Sequence, residues 1–452
     1  MASACTALSF LLVFSAVPVG AQESQPDGRP NIVVLYSDDA GYADFGFQRK
    51  PAPELARRTP HIDSIAKDGV TCTQAYMSGC VCSPSRAGIL TGRYQQRFGH
   101  ESNLPPGSKL GLPLSEQTVA DRMHALGYRT GLVGKWHLGY EPAYHPNRRG
   151  FDWFYGLLQG SRPYVPMAKP TPHRVLQENG KATDEGGYVT DRLGDAAVRF
   201  IEEEAKREGE PFFLFVSFTS PHGPLQPKDE DYELLSDIEN ERRRKYAGLV
   251  RSLDDNVGKI LAALREHDLD TKTLVVFTND NGGQTQTGAI NTPLRGRKGM
   301  LLEGGIRVPL AMRYPGHIEK GSVLEVPVIS LDLLPTFVTL GGGEVDPEWK
   351  LDGTDVSPWL LGTRTEPLTR DLFWRAGGSS GEGALRRGRY KLHRPKRDAA
   401  FALYDLEGDI GETRDIAEDN AELVTRMAER FQTWDAQLVE PLWGAGSKAR
   451  KR

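Results

Sequence analysis

The stretch Asn31-Ile-Val-Val-Leu-Tyr-Ser-Asp-Asp39 is a continuous apolar run that ends in two adjacent carboxylates. An apolar run without alternation is typical of a strand buried on both faces of a parallel sheet. Similar runs lie at 212–218 and 274–277, with shorter ones at 131–133 and near Val308. The opening stretch therefore predicts a core strand that carries acidic groups at its carboxyl end.

Helix signals lie between these runs. Thr59 followed by Pro60 is typical of an N-cap and a first-turn proline, and Ser115 is a second candidate start. Glycines close both patterns. Helices are predicted over 59–69, 115–127, 190–207 and 241–267. The alternation predicts an α/β fold, with a mostly parallel sheet sandwiched by helices.

The pattern changes near residue 351. Short runs at 371–374, 389–393 and 402–406 predict an antiparallel meander, and 421–434 predicts a closing helix. We therefore expect a smaller C-terminal α+β subdomain with a frayed basic tail at 448–452. The predicted boundaries are 1–21 for a signal peptide, 22–350 for the catalytic domain and 351–452 for the C-terminal subdomain.

The charge balance argues against nucleic-acid partners. The 452 residues include 56 Lys+Arg and 60 Asp+Glu, for a net charge of -4, whereas phosphate backbones attract a basic excess. The apolar run 7–21 ends in Val19-Gly20-Ala21, which is typical of a cleaved leader, although it lacks Lys and Arg. No later apolar run is long enough to span a bilayer. We expect a secreted or periplasmic protein without stable membrane insertion.

Three cysteines follow the leader: Cys72, Cys80 and Cys82. An odd number in an exported protein needs an explanation. If Cys82 is consumed chemically, Cys72 and Cys80 remain for a disulfide in an oxidising compartment. Three buried free thiols are the alternative.

Two acidic pairs follow two of the predicted core strands. Asp38-Asp39 comes after the first strand, and Asp280-Asn281 follows the strand at 274–277. Sites in open α/β sheets gather beyond the carboxyl ends of the strands, so the pairs can converge. Carboxylate and amide oxygens favour Ca²⁺ or Mg²⁺ over Zn²⁺. The alternative is two polar loops that cap helices.

The stretch from Cys82 to Arg93 has the pattern of a helix start. Ser83 is a candidate N-cap, Pro84 fits the first helical position, and Gly92 ends the pattern. Cys82 then lies just before a helix N-terminus, which favours an anion, and Arg86 lies one turn inside. A catalytic cysteine and a capped helix with an incidental cysteine both fit this pattern.

The segment Cys82-Ser-Pro-Ser-Arg86, with its Thr91-Gly-Arg93 ending, resembles the signature of the sulfatase family. The resemblance covers roughly 31–340, and Leu403-Tyr-Asp-Leu406 is similar to a common C-terminal element. Other family motifs match in order at Asp38-Asp39, 127–139, Pro221-His222, Asp280-Asn281 and 291–305.

This resemblance implies an alkaline-phosphatase-like fold and a sulfate monoester hydrolase that uses Ca²⁺. The family oxidises its signature cysteine, here Cys82, to formylglycine, so a formylglycine-generating enzyme is an expected partner. One hydroxyl of the hydrated aldehyde, deprotonated with help from Asp280, attacks sulfur. His222 or Lys298 protonates the leaving alkoxide, and His137 deprotonates the second hydroxyl to expel sulfate.

The resemblance also assigns the charges that surround the sulfate. Arg86, Lys135 and Lys298, with the divalent ion, are expected to stabilise negative charge in a pocket poor in water. The metal ligands implied for one Ca²⁺ are Asp38, Asp39, the modified Cys82, Asp280 and Asn281.

The resemblance implies that the substrate is a sulfated glycan or a small sulfate ester. The run Tyr94-Gln-Gln-Arg-Phe-Gly99 resembles bacterial carbohydrate sulfatases, which favours a galactose-type or hexosamine sulfate. Candidate sugar contacts are Arg97, His100, Arg162 and His173, and packing on the core is the alternative for each. Two rival functions remain: a phosphate mono- or diester hydrolase of the same superfamily, and a secreted glycan-binding protein with a dead active site.

Overall fold

A computed structural model describes residues 1, 28–207 and 209–447. Apart from Met1, the predicted leader lies outside the described residues, as does the predicted tail at 448–452. The strands are β1 Asn31–Ser37, β2 Val70–Cys72, β3 Ala75–Tyr76, β4 Arg129–Lys135, β5 Trp153–Leu157, β6 Gln177–Glu178, β7 Lys181–Ala182, β8 Phe212–Ser217, β9 Thr273–Asn279, β10 Leu310–Arg313, β11 Ser322–Leu324, β12 Val328–Ile329, β13 Asp371–Ala376, β14 Glu382–Arg387, β15 Tyr390–Arg394 and β16 Ala402–Asp405. The α-helices are α1 Pro60–Lys67, α2 Cys82–Thr91, α3 Val119–Ala125, α4 Val189–Glu204, α5 Asp229–Glu233, α6 Glu241–Glu266, α7 Glu303–Ile306, α8 Leu333–Leu340, α9 Ser357–Leu360 and α10 Ala421–Asp435.

The main sheet has the strand order β11-β2-β10-β9-β1-β8-β4-β5-β6-β7. Its centre, β9-β1-β8-β4-β5, is parallel throughout, whereas β10 and the short β6 and β7 are antiparallel to their neighbours. Strands that are buried on both faces read as unbroken apolar runs. The predicted mixed, mostly parallel sheet is therefore confirmed.

Strand β1 lies at the centre of two cores. Ile32, Val34 and Tyr36 face the layer that contains α2, α3 and α8. Val33 and Leu35 face the layer of α1, α4 and α6. Because successive side chains of a strand point to opposite faces, one apolar run packs against helices on both sides. The sheet is packed between two layers of helices, which fixes the position of the residues at its carboxyl edge.

The strand register brings chemically important residues to one edge. Ser37 at the end of β1 is paired with Asn279 of β9, and Tyr36 with Ser217 of β8. Ser217 is in turn opposite Gly134, just before Lys135 on β4. The carboxyl ends of four parallel strands therefore meet, as expected for a ligand site in an open α/β sheet.

Two predicted helix starts are wrong. Helix α2 begins at Cys82 with Val81 as N-cap, so Ser83 lies inside the helix and Cys82 is its first residue. The Ser83 N–H donates to Asn103 Oδ1 at 3.0 Å, a tertiary partner that replaces a local cap. Helix α3 begins after Thr118, not Ser115, because Thr118 and Asp121 form a capping box.

The C-terminal subdomain is an antiparallel sheet, β13-β14-β15-β16, covered by α10. Sequence patterning predicts β13, β15, β16 and α10 but misses β14. A third core forms where Trp374, Leu385 and Phe431 of this unit pack with Tyr76 and Tyr94 of the larger domain. The subdomain therefore packs beside the segments that flank α2, the helix that begins at Cys82. Its boundary at residue 350 stays a prediction.

Cys72, Cys80 and Cys82 are free and buried in the structure. This matches the alternative of three buried thiols rather than a Cys72–Cys80 disulfide. In the described ranges, no helix combines the length and apolar character that a bilayer crossing requires.

Candidate active site

The acidic pairs of β1 and β9 converge in the structure. Asp39 N–H donates to Asp280 Oδ1 at 3.0 Å, and Asn281 Nδ2 donates to Asp39 Oδ1 at 2.8 Å. The Cys82 Sγ lies 3.6 Å from Asp38 Oδ1 and 3.9 Å from Asp39 Oδ1. All five residues are buried. The nucleophile candidate and the predicted metal ligands therefore form one cluster.

Asn279 at the end of β9, which was not predicted from the sequence, connects the loop after β9 to the loop that carries Asp38 and Asp39. Its Oδ1 accepts from Ser37 Oγ at 2.8 Å and from Ala40 N–H at 3.1 Å, and its Nδ2 donates to Ala40 O at 2.9 Å. Asp39 adopts φ 65, which costs a non-glycine residue conformational energy. The Asn279 bridge helps to hold that conformation. A polar side chain at the end of an apolar strand is the signal that could have found it.

Three cations interleave with the three carboxylates. Lys135 Nζ lies 2.5 Å from Asp38 Oδ2, and Lys298 Nζ lies 2.6 Å from Asp39 Oδ2 and 3.2 Å from Cys82 Sγ. Arg86 Nη2 lies 3.4 Å from Asp38 Oδ2 and 3.3 Å from Asp280 Oδ2. Buried charges of one sign require such partners. The structure therefore brings together Arg86, Lys135 and Lys298, as the sequence predicts.

Arg86 is fully buried and fixed from several directions. Its guanidinium donates to Lys135 O at 3.1 Å and to Ser217 Oγ. The Tyr36 ring lies 5.2 Å below the guanidinium carbon, in cation–π geometry. A planar guanidinium with this many contacts presents a fixed positive charge to the cluster.

The charges of the cluster shift its ionisation. Burial opposes ionisation of Asp38, but the nearby Lys135, His222 and Arg86 outweigh it and hold the pKa of Asp38 well below its usual range. Burial, followed by repulsion from Asp38, raises the pKa of Asp280 to about 7. Burial also raises the pKa of the Cys82 thiol far above its usual value. The unmodified thiol is therefore neutral and a poor nucleophile.

The donor set fits a hard divalent cation. One ligand atom from each of Asp38, Asp39, Cys82 and His222 lies within 4.8 Å of the others. The buried Asn281 Oδ1 has no hydrogen-bond partner in the described structure, and an orphaned carbonyl oxygen is costly unless something binds it. Asp38, Asp39, Asp280 and Asn281 offer the oxygen ligands that Ca²⁺ prefers.

The two predicted histidines flank the cluster. His222 Nε2 lies 3.5 Å from Asp39 Oδ2, and its Nδ1 lies 2.7 Å from Gly223 O. His137 is buried and adopts φ 58; burial and the charge of Lys135 lower its pKa well below the usual value. Gly160 packs against the His137 ring so closely that a Cβ would clash with it. Sequence inspection gives no signal for the Gly160 contact.

His100 is buried against Ser83, the residue that follows Cys82. Its Nε2 is 2.6 Å from Ser83 Oγ, which also donates to His137 O at 2.7 Å. The side chain is fully buried, with its ring 4.5 Å from that of Trp443. Burial lowers the pKa of His100 to about 3. His100 is thus packed within the fold in this conformation, and its direct contact with a sugar stays a prediction.

The remaining substrate candidates have partners outside the cluster of carboxylates and cations. Arg97 pairs with Asp352 at 2.6 Å, and the buried Arg162 pairs with Glu185 at 2.5 Å. Both guanidinium groups are therefore engaged within the fold. His173 is partly exposed, and its ring lies 4.7 Å from that of Tyr140. Sugar binding by Arg97, Arg162 and His173 stays a prediction.

Comparisons with known proteins agree with this geometry. The family model described as Sulfatase matches residues 30–343, and that of the N-sulphoglucosamine sulphohydrolase C-terminal region matches 297–437. The chain is 34% identical over 448 residues to arylsulfatase A of Homo sapiens, across 89% of this chain and 85% of that protein. It is 33% identical over 416 residues to N-acetylgalactosamine-6-sulfatase of Mus musculus, across 86% of this chain and 76% of that protein.

A solved structure is similar over almost the whole fold. The crystal structure of Ps i-CgsB in complex with k-i-k-neocarrahexaose superposes with a TM-score of 0.87 at 34% identity, covering 94% of this chain and 96% of that one. The Sulfatase match spans more than half of the chain and includes every residue of the cluster. The chain has the alkaline-phosphatase-like fold and belongs to the sulfatase family, whose members hydrolyse sulfuric esters.

Proposed function

We propose that this chain hydrolyses sulfate monoesters of a carbohydrate through a formylglycine made from Cys82 and one bound Ca²⁺. The observation that carries the proposal is the position of Cys82. Its Sγ lies at the start of α2, 3.6 Å from Asp38 and 3.2 Å from Lys298, where three carboxylates and three cations meet. A helix N-terminus and fixed cations both favour a bound anion.

A formylglycine at position 82 would supply an oxygen nucleophile, and a bound Ca²⁺ would polarise the sulfate oxygens. Asp38, Asp39, Asp280 and Asn281 would hold that metal. Asp280 is the proposed proton acceptor near the nucleophile, because Asp39 N–H at 3.0 Å and Arg86 at 3.3 Å hold its carboxylate within the cluster.

The cations bind and orient the sulfate. Arg86 and Lys135 are fully buried, so their charges act in a medium of low polarity, where charge stabilisation is strongest. Neither side chain can reorganise freely, because Arg86 contacts Ser217 and Lys135 contacts Asp38. The proposed catalytic anion site is therefore preorganised.

The leaving alcohol exits on the side of His222 and Lys298. Their side chains are 22% and 14% exposed, whereas those of Arg86 and Lys135 are 2% and 0% exposed. A proton donor for the alkoxide must face the outgoing sugar, so either His222 or Lys298 takes this role. His137, whose side chain is buried and whose backbone O accepts from Ser83 Oγ, is proposed to take the proton whose removal releases sulfate.

The sugar is proposed to be a galactose-type or hexosamine sulfate. One relative is named for N-acetylgalactosamine 6-sulfate, and one similar structure was solved with a neocarrahexaose. His173 is partly exposed and packs against the ring of the buried Tyr140, so the free part of the His173 ring is the proposed contact for the sugar. Export by the leader and maturation by a formylglycine-generating enzyme are part of the same proposal.

The test compares the sulfate and phosphate esters of one alcohol with modified protein, using Cys82→Ala as the blank. The proposal predicts the larger kcat/KM for the sulfate ester and its loss in the blank. A clear phosphate preference would instead support a phosphoesterase. Tight glycan binding without turnover, in protein whose modification is verified, would support a binding protein with a dead site.

A further inference from the structure

Lys298 lies on a loop whose middle is hydrogen-bonded to two backbone carbonyls of the larger domain. Lys298 N–H donates to Gly283 O at 3.3 Å, and Gly299 N–H donates to Cys80 O at 2.8 Å. These two hydrogen bonds fix the backbone of Lys298 and Gly299 relative to Gly283 and to Cys80, two residues before Cys82. The larger domain also binds the loop near each end, since Asn291 Nδ2 donates to Gly296 O at 3.3 Å and Tyr76 OH donates to Glu303 Oε2 at 2.7 Å, but neither contact joins the two ends.

Both ends of the loop are bound by one residue of the C-terminal subdomain, Glu412. Arg295 Nη1 donates to Glu412 O at 2.8 Å, and Glu303 N–H donates to Glu412 Oε2 at 2.7 Å. The ends are joined to each other as well, because Gly304 N–H donates to Arg295 O at 2.7 Å. The segment 295–303 is therefore a closed loop clamped at its base, with Lys298 inside it.

Glu412 is itself held firmly. Its Oε1 lies 2.8 Å from Lys391 Nζ, and the same Nζ lies 3.0 Å from Glu303 Oε1. Lys391 and both carboxylates are fully buried. The backbone of Glu412 has a positive φ of 52°. The turn that contains it is fixed by Asp409, whose Oδ2 accepts from Thr413 N–H at 2.7 Å. The clamp is therefore a rigid part of the subdomain.

The other oxygen of Glu303 ties the clamp to the larger domain. Tyr76 OH donates to Glu303 Oε2 at 2.7 Å, and Arg307 Nη1 lies 3.1 Å from the same oxygen. Arg386 of β14 donates to Tyr76 OH at 2.6 Å. A buried network in which each member has partners specifies one arrangement strongly.

We propose that Glu412 is a positioning residue that sets Lys298 over the reacting sulfate, so the C-terminal subdomain takes part in the sulfatase site. The inference rests on the proposed role of Lys298. Strand β16 ends at Asp405, a few residues before Glu412, which binds the Glu303 end of the loop.

The test uses Glu412→Ala and Glu412→Asp. The alanine removes the acceptor for Glu303 N–H, and the aspartate keeps the charge beside Lys391 but shortens the reach. Arg375→Met is the matched control, because Arg375 forms a buried interdomain ion pair with Glu101 that does not touch the loop. We expect kcat to fall about 100-fold for the alanine and about 10-fold for the aspartate, since small misplacements of catalytic groups cost this much.

A double-mutant cycle with Lys298→Ala shows whether the effect passes through Lys298. In that background, Glu412→Asp is expected to lower kcat by less than about twofold, because the group it positions is gone. Amide hydrogen exchange gives a readout independent of activity: residues 295–305 should exchange faster in both Glu412 variants and not in Arg375→Met.

The outcomes separate this inference from the proposed function. If Lys298→Ala keeps full activity, the proposed role of Lys298 fails. If Lys298→Ala is impaired but the Glu412 effects multiply with it, or if Arg375→Met lowers kcat equally, Glu412 contributes only stability and the inference is overturned. Should Glu412→Ala not fold, the aspartate variant decides by the same criteria.

Discussion

Replacing Lys135 by methionine tests how much the buried charges of the site contribute. Lys135 Nζ lies 2.5 Å from Asp38 Oδ2, and both side chains are 0% exposed. Breaking a buried ion pair from one side costs about 3–5 kcal/mol, because the remaining charge is left without its partner. Asp38 keeps Arg86 at 3.4 Å, so we expect a loss near the lower end, about 3 kcal/mol, in the free energy of unfolding.

The same change should slow turnover. Removing one preorganised charge from a transition-state site costs about 100- to 1,000-fold in kcat. The measurements are urea unfolding of metal-free protein and kcat on a chromogenic sulfate ester with modified, calcium-loaded protein. Because bound Ca²⁺ compensates Asp38, added Ca²⁺ should recover part of the lost stability but not the lost kcat.

Lys245→Met is the matched control. Lys245 Nζ lies 2.6 Å from Glu241 Oε1, nearly the same separation, but the two side chains are 40% and 71% exposed. Exposed pairs are screened by water and contribute little, so this variant should match the parent in both assays. If Lys135→Met unfolds and turns over like Lys245→Met, the argument from burial is wrong.

The remaining predictions concern the nucleophile, the metal, a close contact and an unrelated carboxyl group. Cys82→Ala should leave the fold intact by circular dichroism and reduce turnover below about one part in a thousand; higher residual activity counts against a covalent role. Chelation should abolish activity until Ca²⁺ is returned, and Ca²⁺ at 100 times its Kd should add about 2.7 kcal/mol to the free energy of unfolding. Asn281→Leu should weaken both the recovery of activity by Ca²⁺ and the stabilisation by Ca²⁺. If the variant keeps the parental values of both, Asn281 is not a metal ligand. Gly160→Ala should lower kcat about tenfold by displacing His137, with KM nearly constant; parental kcat would show that the ring can move freely. Burial raises the pKa of Asp254 to about 7, so folding disfavours the charged form of this carboxyl group. The free energy of unfolding should therefore fall as the pH rises from about 4 to 7. Asp254→Asn should make that decline shallower in urea unfolding measured at several pH values, and an unchanged pH dependence would contradict the prediction.

Most of the central sheet and the two acidic pairs of the site follow from local patterns. Apolar runs predict β1, β8 and β9 because a doubly buried strand has no polar face. Asp38-Asp39 and Asp280-Asn281 could be expected to meet because carboxyl ends of parallel strands share an edge. The sulfatase resemblance supplied Lys135, His137 and Lys298, whose chemistry has no signature in periodicity.

Tertiary partners explain the errors. Ser83 looks like an N-cap, but its N–H donates to Asn103 Oδ1 and its hydroxyl contacts His100 Nε2 and His137 O. The helix therefore begins two residues earlier than predicted, at Cys82 instead of Pro84. The contact of the His100 ring with Trp443, which is far away in sequence, was likewise not predicted. Neither contact is visible within a short window of sequence.

The start of α3 is a different case. The pattern Thr118-x-x-Asp121 is a capping box in the sequence itself, and the structure shows both of its hydrogen bonds. That error was avoidable. By contrast, Glu412 acts on residues more than a hundred positions earlier, and only the docked subdomain brings them together.

The central claim is that Cys82 becomes the nucleophile by modification. The most direct measurement is the mass of the peptide ending at Arg86, from protein made with a formylglycine-generating enzyme. The account predicts a loss of about 18 Da located at Cys82, which thiol oxidation does not produce, and turnover proportional to the modified fraction. A thiol that persists at Cys82 in fully active protein would contradict it.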